Sequence, residues 1–312
     1  MSAAPPRAVA VEGEFAFTWA DFHMLATLVR AEAGIVLPEA KANLVYSRLS
    51  KRLRELGLAR FADYCTLVAS DGAERARLIA AMTTNVTRFF REGHHFEHLR
   101  RAVLPGLIAT ARNGGAVRLW SCACSSGEEP YSIAMTLAEA MPDAANHDVK
   151  ILATDLDPNM LALGKAALYP AARLADIPQA LRRFTEDHGA HFRIAPAVRA
   201  LVSFRPLNLL KPWPVTARYQ AIFCRNVMIY FDQPTQDAIW SRFAQHLAPG
   251  GMLYIGHSER IAAGPYELTA QTAYRFAPLR PSHATTAGGL RAAGTSPSEA
   301  LRAGGEAGRS TP

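Results

Sequence analysis

Two carboxylates, Glu128 and Glu129, follow the small-residue run Cys122-Ala123-Cys124-Ser125-Ser126-Gly127, and a third, Asp155, closes the apolar stretch Val149-Lys150-Ile151-Leu152-Ala153-Thr154. These types at this spacing describe a site for a nucleoside-bearing ligand. Small side chains let backbone approach the ligand, and an acid at the end of a strand accepts hydrogen bonds from ribose hydroxyls. A dinucleotide site would want three glycines spaced G-x-G-x-x-G and an anion on the helix N-terminus. Here Gly127 stands alone, and two carboxylates fill the first helical turn. Their charge repels a pyrophosphate and suits an amino group or a sulfonium. S-adenosylmethionine carries both, with a ribose for Asp155. The plainer reading is that the glutamates only complement the helix dipole.

Three more segments carry polar groups worth placing. In Asn85-Val86-Thr87-Arg88-Phe89-Phe90-Arg91-Glu92, polar side chains recur at two-residue intervals beside paired aromatics. This is either a ligand-facing loop or a capped helix start with a phenylalanine staple. Phe223-Cys224-Arg225-Asn226-Val227-Met228-Ile229-Tyr230-Phe231 follows a strand, and the carboxyl end of a parallel strand faces the ligand. That puts Arg225, Asn226 and Tyr230 at the cleft, where Asn226 offers a donor and an acceptor and Tyr230 a phenol. Otherwise Arg225 is a surface ion-pair partner and Tyr230 a core aromatic. Asn208-Leu209-Leu210 ends a third strand, where an adenine edge would meet the Asn208 side chain or nearby backbone groups. No metal set is read. His94 and His98 share a helix face, but a third ligand is missing. Cys65, Cys122, Cys124 and Cys224 lack C-x-x-C spacing and read as buried small hydrophobes.

The elements that must position these residues are legible from periodicity. Apolar runs at 117–121, 149–155, 201–206, 219–224 and 251–255 alternate with helical stretches, which predicts an α/β domain with a mostly parallel sheet. Residues 273–277 add a hairpin partner to the 251–255 strand. A proline-broken stretch within 169–200 reads as an inserted subdomain, and a single long helix is expected over 94–112. From Phe15 to Met82 the pattern is helical throughout, with Thr18 capping the first helix, Gly34 ending it and Pro38 opening the second. That second helix carries Lys41, Arg48, Lys51, Arg52 and Arg54, with only Glu55 nearby to pair with them. This scarcity of acids points to docking on something acidic. Residues 1–13 and 281–312 are too poor in large apolar residues to fold and read as disordered.

Bulk composition agrees with a globular enzyme or binding module. Of 312 residues, 49% are hydrophobic and 20% charged, and no apolar run approaches the roughly 18 residues that span a bilayer. The first ten residues lack the pattern of a secretory signal, so a cytoplasmic location is expected. The net charge of +7 implies an acidic partner without naming it.

Read together, Asn85–Glu92, His94-His95-Phe96, Trp120-Ser121, Ser126 to Ala134, Thr154-Asp155-Leu156-Asp157, Phe223–Phe231, Gly250-Gly251 and Gly256-His257-Ser258-Glu259 resemble the CheR family. Members of that family methylate glutamates of chemotaxis receptors with S-adenosylmethionine. The likeness runs from about Phe15 to Ala277. It implies an S-adenosylmethionine-dependent methyltransferase (Rossmann-like) domain over 85–280, with an N-terminal helical receptor-docking domain over 14–84 and a small antiparallel β flap over 169–200. Cofactor contacts would come from Asn85, Thr87, Arg91, Glu129, Asp155, Asn208, Leu209, Arg225 and Asn226. Arg91 and Tyr230 would flank the transferred methyl and the incoming carboxylate. Glu129 is favoured over Glu128 as the ligand contact.

The same resemblance implies that the basic second helix faces the acidic, helical methylation region in the cytoplasmic domain of methyl-accepting receptors. Some members also grip a receptor tail peptide through a Gly-x-Gly turn of the flap. Phe184-Thr185-Glu186-Asp187-His188-Gly189-Ala190-His191-Phe192 has one glycine, so no such tether is expected. A monomer is expected. Two other classes stay open: a non-catalytic S-adenosylmethionine-binding signalling module, and a nucleic-acid methyltransferase. The presence of Arg91 and Tyr230 disfavours the first. Against the second stand the missing aromatic-basic stripes and the missing acid-aromatic motif after the fourth strand.

Overall fold

Thr18 opens the first helix through a reciprocal pair of hydrogen bonds. Its Oγ1 accepts the Asp21 N–H at 3.2 Å, and Asp21 Oδ2 accepts the Thr18 N–H at 2.9 Å, so two amides without helical partners are satisfied together. The computed structural model describes residues 9–262 and 264–277, and the tail expected to be disordered at 281–312 lies outside them. Ahead of the helix, strands β1 (Val9–Val11) and β2 (Phe17–Thr18) pair antiparallel. Ordered structure therefore begins earlier than the Ala/Pro-rich composition of 1–13 suggested, because Val9 and Val11 find ladder partners.

Four helices follow: α1 (Trp19–Ala33), α2 (Ala42–Leu56), α3 (Phe61–Ser70) and α4 (Gly72–Met82). Their inward faces hold Phe22, Leu25, Val29, Val45, Leu49, Leu53, Phe61, Tyr64 and Val68, all fully buried or nearly so. Truncating one of them, Leu49→Ala for example, would cost about 2–5 kcal/mol. Gly34 ends α1 at φ +71°, and a Cβ there would lie 2.9 Å from the Phe231 ring. Left-handed backbone and close approach both require glycine at this corner.

The expected docking charge of α2 is mostly consumed at home. Arg52 forms an ion pair with Glu74 at 2.7 Å and another with Glu55 at 3.0 Å, and Arg54 reaches Glu14 at 3.1 Å. Arg48 donates to the Ala81 and Thr83 carbonyls. Glu74 and Glu14 are distant in sequence, so a search for nearby acids misses them. Of the five cations, Lys41, Lys51 and Arg54 are exposed, with Lys51 3.9 Å from Glu55.

The segment expected as one helix over 94–112 is α5 (His94–His98), a π-helical turn (Leu99–Val103) and α6 (Leu104–Arg112). Pro105 explains the break, since it lacks an N–H and its ring crowds the carbonyl of residue 101; widening the helix relieves both.

Next come β3 (Val117–Cys122), α7 (Glu128–Ala140), β4 (Val149–Asp155) and α8 (Pro158–Ala166). A three-stranded antiparallel sheet is inserted there, β5 (Leu168–Pro170), β6 (Thr185–His188) and β7 (His191–Ile194), in the order β5-β7-β6. The chain continues through α9 (Pro196–Arg199), β8 (Val202–Pro206), β9 (Tyr219–Cys224), α10 (Gln233–His246), β10 (Leu247–Ile255), β11 (Tyr266–Ala270) and β12 (Ala273–Phe276).

The main sheet runs β11-β12-β10-β9-β3-β4-β8, with β8, β4, β3, β9 and β10 parallel. Its central strands are apolar on both faces, as burial by helices on either side demands; Leu119, Trp120, Ile151, Ile222 and Leu253 are fully buried. Residues 273–276 do pair with β10, Leu253 opposite Tyr274. The hairpin itself is made with β11, which was not anticipated because its side chains are mostly exposed. From β3 the chain moves outward through β4 to β8 and then returns to β9 on the other side. Where the direction reverses, between β3 and β9, the carboxyl ends leave a crevice.

Candidate active site

That crevice is a cavity of about 310 Å³. All ten residues singled out above line it: Asn85, Thr87, Arg91, Glu129, Asp155, Asn208, Leu209, Arg225, Asn226 and Tyr230. Ala33, Ile35, Met82 and Thr83 of the helical segment complete the wall, so the site lies between helices and sheet. Several ties hold that seam, among them an ion pair of Lys211 with Glu32 at 3.7 Å. The Val36 N–H donates to the Tyr230 carbonyl at 3.0 Å, Asn208 Nδ2 to the Glu32 carbonyl at 2.7 Å, and Arg30 meets Asp232 at 2.7 Å.

On the sheet side, the small-residue loop does what its composition suggested. Ser125 N–H donates to Asp155 Oδ2 at 2.7 Å, and Asp157 N–H to Oδ1 at 2.9 Å. The carboxylate is thus held from both sides and keeps lone pairs for a further donor. Gly127 stands before α7 at φ +98°, and a Cβ there would sit 2.9 Å from the Tyr169 hydroxyl and 3.0 Å from Gly164 Cα. The two glutamates after it separate cleanly. Glu128 is buried and accepts from Ser126 Oγ at 2.6 Å, away from the cavity lining. Glu129 faces the cavity, accepting from Ser121 Oγ at 2.7 Å and from Arg225 Nη1 at 3.0 Å. Burial pushes its carboxyl above the usual range, against the pull of Arg225. An arriving ammonium would favour the ionised form.

Arg225 is the hub, and its side chain is only 2% exposed. Besides Glu129 it meets Glu92 at 3.2 Å and donates to the Arg91 carbonyl, with its guanidinium over the Phe96 ring. The surface ion-pair reading of Arg225 is therefore excluded. Glu92 also accepts from His257 Nδ1 at 2.9 Å and from Asn226 Nδ2 at 3.4 Å. Burial alone would raise Glu92; Arg225 and His257 outweigh it and hold the carboxyl at about 2. Glu259, buried and 31 to 33 residues downstream, accepts the backbone N–H groups of Asn226, Val227 and Met228 at 2.8–3.0 Å. It fixes the turn that presents Arg225, Asn226 and Tyr230.

Glu92 and Glu259 lie outside the set chosen from sequence, although both sit inside the motifs quoted there. Their partners are long-range backbone and guanidinium groups, which spacing does not reveal. Backbone strain marks the same loops. Phe90, Glu92, Ala123, Ser125 and Asn226 all have φ between +50° and +59°, a conformation that side chains resist and that clusters at functional sites.

Asn208 is partly committed to the fold. Its Nδ2 donates to the Glu32 carbonyl and its Oδ1 accepts the Leu210 N–H at 2.9 Å, so the side chain braces the seam and keeps one N–H and one lone pair. Among the described residues the Leu209 N–H has no acceptor, which leaves backbone there for an adenine edge. The capped-helix reading of 85–92 also fails. Residues 84–88 form neither helix nor strand, and Phe89 is buried against Tyr169 and Phe192 of the inserted sheet. His98, paired on paper with His94, instead meets the Tyr254 hydroxyl at 2.9 Å. Ligand atoms of Glu92, His94 and His95 do lie within 4.8 Å of one another, but the Arg225 cation already sits on that glutamate. All four cysteines are buried free thiols.

Residues 85–275 match the family model described as CheR methyltransferase, SAM binding domain, and residues 20–83 match its all-alpha domain. The chain belongs to the CheR methyltransferase family. A probable chemotaxis protein methyltransferase of Rhizobium etli is 49% identical over 259 residues, covering 80% of this chain and 97% of that one. Chemotaxis protein methyltransferase 2 of Pseudomonas aeruginosa is 41% identical, covering 84% and 94%. The chemotaxis protein methyltransferase of Escherichia coli is 41% identical, covering 82% and 90%. As a CheR methyltransferase, the chain is an S-adenosylmethionine-dependent enzyme with a Rossmann-like domain, an all-helical N-terminal segment and an inserted sheet. Nothing among these relatives supports the non-catalytic alternative. Among the described residues no helix is long and apolar enough to cross a membrane.

Proposed function

We propose that this chain transfers the methyl group of S-adenosylmethionine to glutamate side chains in the cytoplasmic domain of chemotaxis receptors, forming glutamyl methyl esters for sensory adaptation. One observation carries the reading. A single cavity collects two anions, Glu129 and Asp155, with a cation, Arg91, and a phenol, Tyr230, that retain free bonding capacity. The donor set fits the cofactor. Asp155 would take the ribose hydroxyls, Glu129 the amino group, Leu209 backbone the adenine, and Arg91 the carboxylate. Asn85, Thr87, Asn208, Arg225 and Asn226 would shape the walls. Arg91 spends one N–H on the Val86 carbonyl at 3.0 Å and keeps the rest, whereas Arg225 commits Nη1 to Glu129 and Nη2 to Glu92 and the Arg91 carbonyl.

When bound, S-adenosylmethionine supplies a sulfonium methyl for in-line displacement. No residue of this chain need act as a base, since a glutamate of reference pKa about 4.3 is already ionised at neutral pH. The chain's work is alignment and exclusion of water. Tyr230, held by the Val36–Tyr230 backbone bond, would donate to the acceptor carboxylate and set its angle. Arg91→Ala and Tyr230→Phe should then lower methyl transfer far more than thermal stability; near-wild-type turnover in both removes them from the mechanism.

The same reading treats 14–84 as the receptor-docking segment, 85–280 as the methyl-transfer segment, and the enzyme as a cytoplasmic monomer. It also holds that no receptor tail is tethered. The flap turn is the two-residue Gly189-Ala190 link between His188 and His191. Calorimetry with a receptor C-terminal peptide should show no binding, and micromolar affinity would contradict this. The function itself is tested with labelled cofactor, receptor cytoplasmic fragment and nucleic acid in parallel. Base-labile label on the fragment alone supports it; label on nucleic acid, or none, overturns it.

A further inference from the structure

We propose that Val86, Arg88 and Ile229 form a rim that selects the substrate, reading an acidic segment in which the acceptor glutamate has an apolar neighbour and a second acid. This rests on the glutamate-methylating reading above and assigns its specificity.

Residues 84–88 run without helix or strand from the end of α4 to the buried Phe89, and their side chains alternate. Asn85 and Thr87 are half-buried, while Val86 is 78% exposed and Arg88 is exposed. All four line the cavity, so the inner pair belongs to its interior and the outer pair to its mouth. Ile229 borders the same cavity from the turn Met228–Tyr230. It is 52% exposed, between buried Met228 and half-buried Tyr230. Scattered exposed aliphatic residues need no explanation, but two on the lip of one functional cavity mark a contact surface.

Charge narrows the occupant. Among the described residues Arg88 has no carboxylate or carbonyl partner for its side chain. By contrast Arg52, Arg54, Arg60 and Arg77 of the helical segment are each in an ion pair. A lone cation beside two aliphatic groups favours an anion with an apolar neighbour. The cavity interior is claimed by the cofactor's own groups, and the acceptor carboxylate must enter past this rim. The partner that fits is an acidic protein segment, with apolar area against Val86 and Ile229 and a second acid against Arg88.

The test uses the full-length enzyme and a chemoreceptor cytoplasmic fragment, with S-adenosylmethionine as the methyl donor for turnover and S-adenosylhomocysteine for calorimetry. In the Val86→Ser/Ile229→Ser double variant, KM for the fragment should rise about fivefold or more, with kcat held within about twofold. Arg88→Gln should raise KM at low salt and flatten its dependence on ionic strength. Calorimetric affinity for S-adenosylhomocysteine and the melting temperature should stay near wild type in both. Unchanged KM, or a parallel loss of S-adenosylhomocysteine affinity, overturns the rim. A wild-type enzyme that fails to label the fragment at all instead overturns the functional reading beneath it.

Discussion

Helix α2 and the loop 85–92 are both rich in cations, yet they use them in opposite ways. On α2, Arg48, Arg52 and Arg54 are tied to carbonyls and acids of the helical segment itself. In the loop, Arg88 and Arg91 retain most of their donors, and the strain sits in the neighbouring backbone, with Phe90 and Glu92 at positive φ. The cation that does pair at the site, Arg225, is anchored between Glu92 and Glu129 and supports the loops from behind. A count of basic residues therefore overstates the charge that α2 has to spare. What distinguishes a binding region is polar capacity left over after the fold has taken its share.

That contrast can be broken by mutation. The largest effect should come from Arg225→Met, which leaves two carboxylates uncompensated in a buried setting. A loss of about 3–5 kcal/mol in denaturant unfolding is expected. A loss below about 1 kcal/mol would mean the hub does not hold the loops. Next is Glu92→Gln. The folded pKa of about 2 lies below the unfolded value, so this carboxylate stabilises the fold at neutral pH. The wild-type advantage, on the order of 3 kcal/mol, should persist above about pH 5 and shrink as pH falls toward 2. A difference that does not change with pH would contradict the ion pair.

On α2 the same comparison predicts unequal neighbours. Glu74 is 2% exposed, and its hydrogen bond to Arg52 holds it below the usual carboxylate range. Arg52→Ala should therefore cost about 1.5–3 kcal/mol. Lys51→Ala, 79% exposed, should change stability by less than about 0.5 kcal/mol. Equal costs would erase the distinction between structural and spare cations.

Much of this was readable in advance, for physical reasons. Val117–Cys122 and Tyr219–Cys224 are mostly apolar, broken only by Arg118, Ser121 and Gln220, as a doubly covered parallel strand requires, and Thr18 and Gly34 carry their own capping chemistry. That Glu129 and Asp155 line the cavity was legible because they follow a loop or end a strand at the carboxyl edge of the sheet. Three kinds of feature were hidden. Strand β11 offers no apolar run, so nothing in its local pattern marks it. The break at Leu99–Val103 arises from a backbone conflict at Pro105 inside an otherwise regular helix. The commitments of Asn208 to Glu32, Arg52 to Glu74 and Glu259 to the Asn226–Met228 amides are long-range, and each changes what a residue is free to do.

The central claim is that the crevice between β3 and β9 holds the methyl donor with its reactive end toward Tyr230 and the mouth. A crystal structure with S-adenosylhomocysteine tests this most directly. The account predicts ribose hydroxyls on Asp155, the amino group on Glu129, adenine on Leu209 backbone, the carboxylate on Arg91 and the sulfur facing Tyr230. A carboxylate bound by Arg225, with the Glu92 and Glu129 pairs broken, would contradict it.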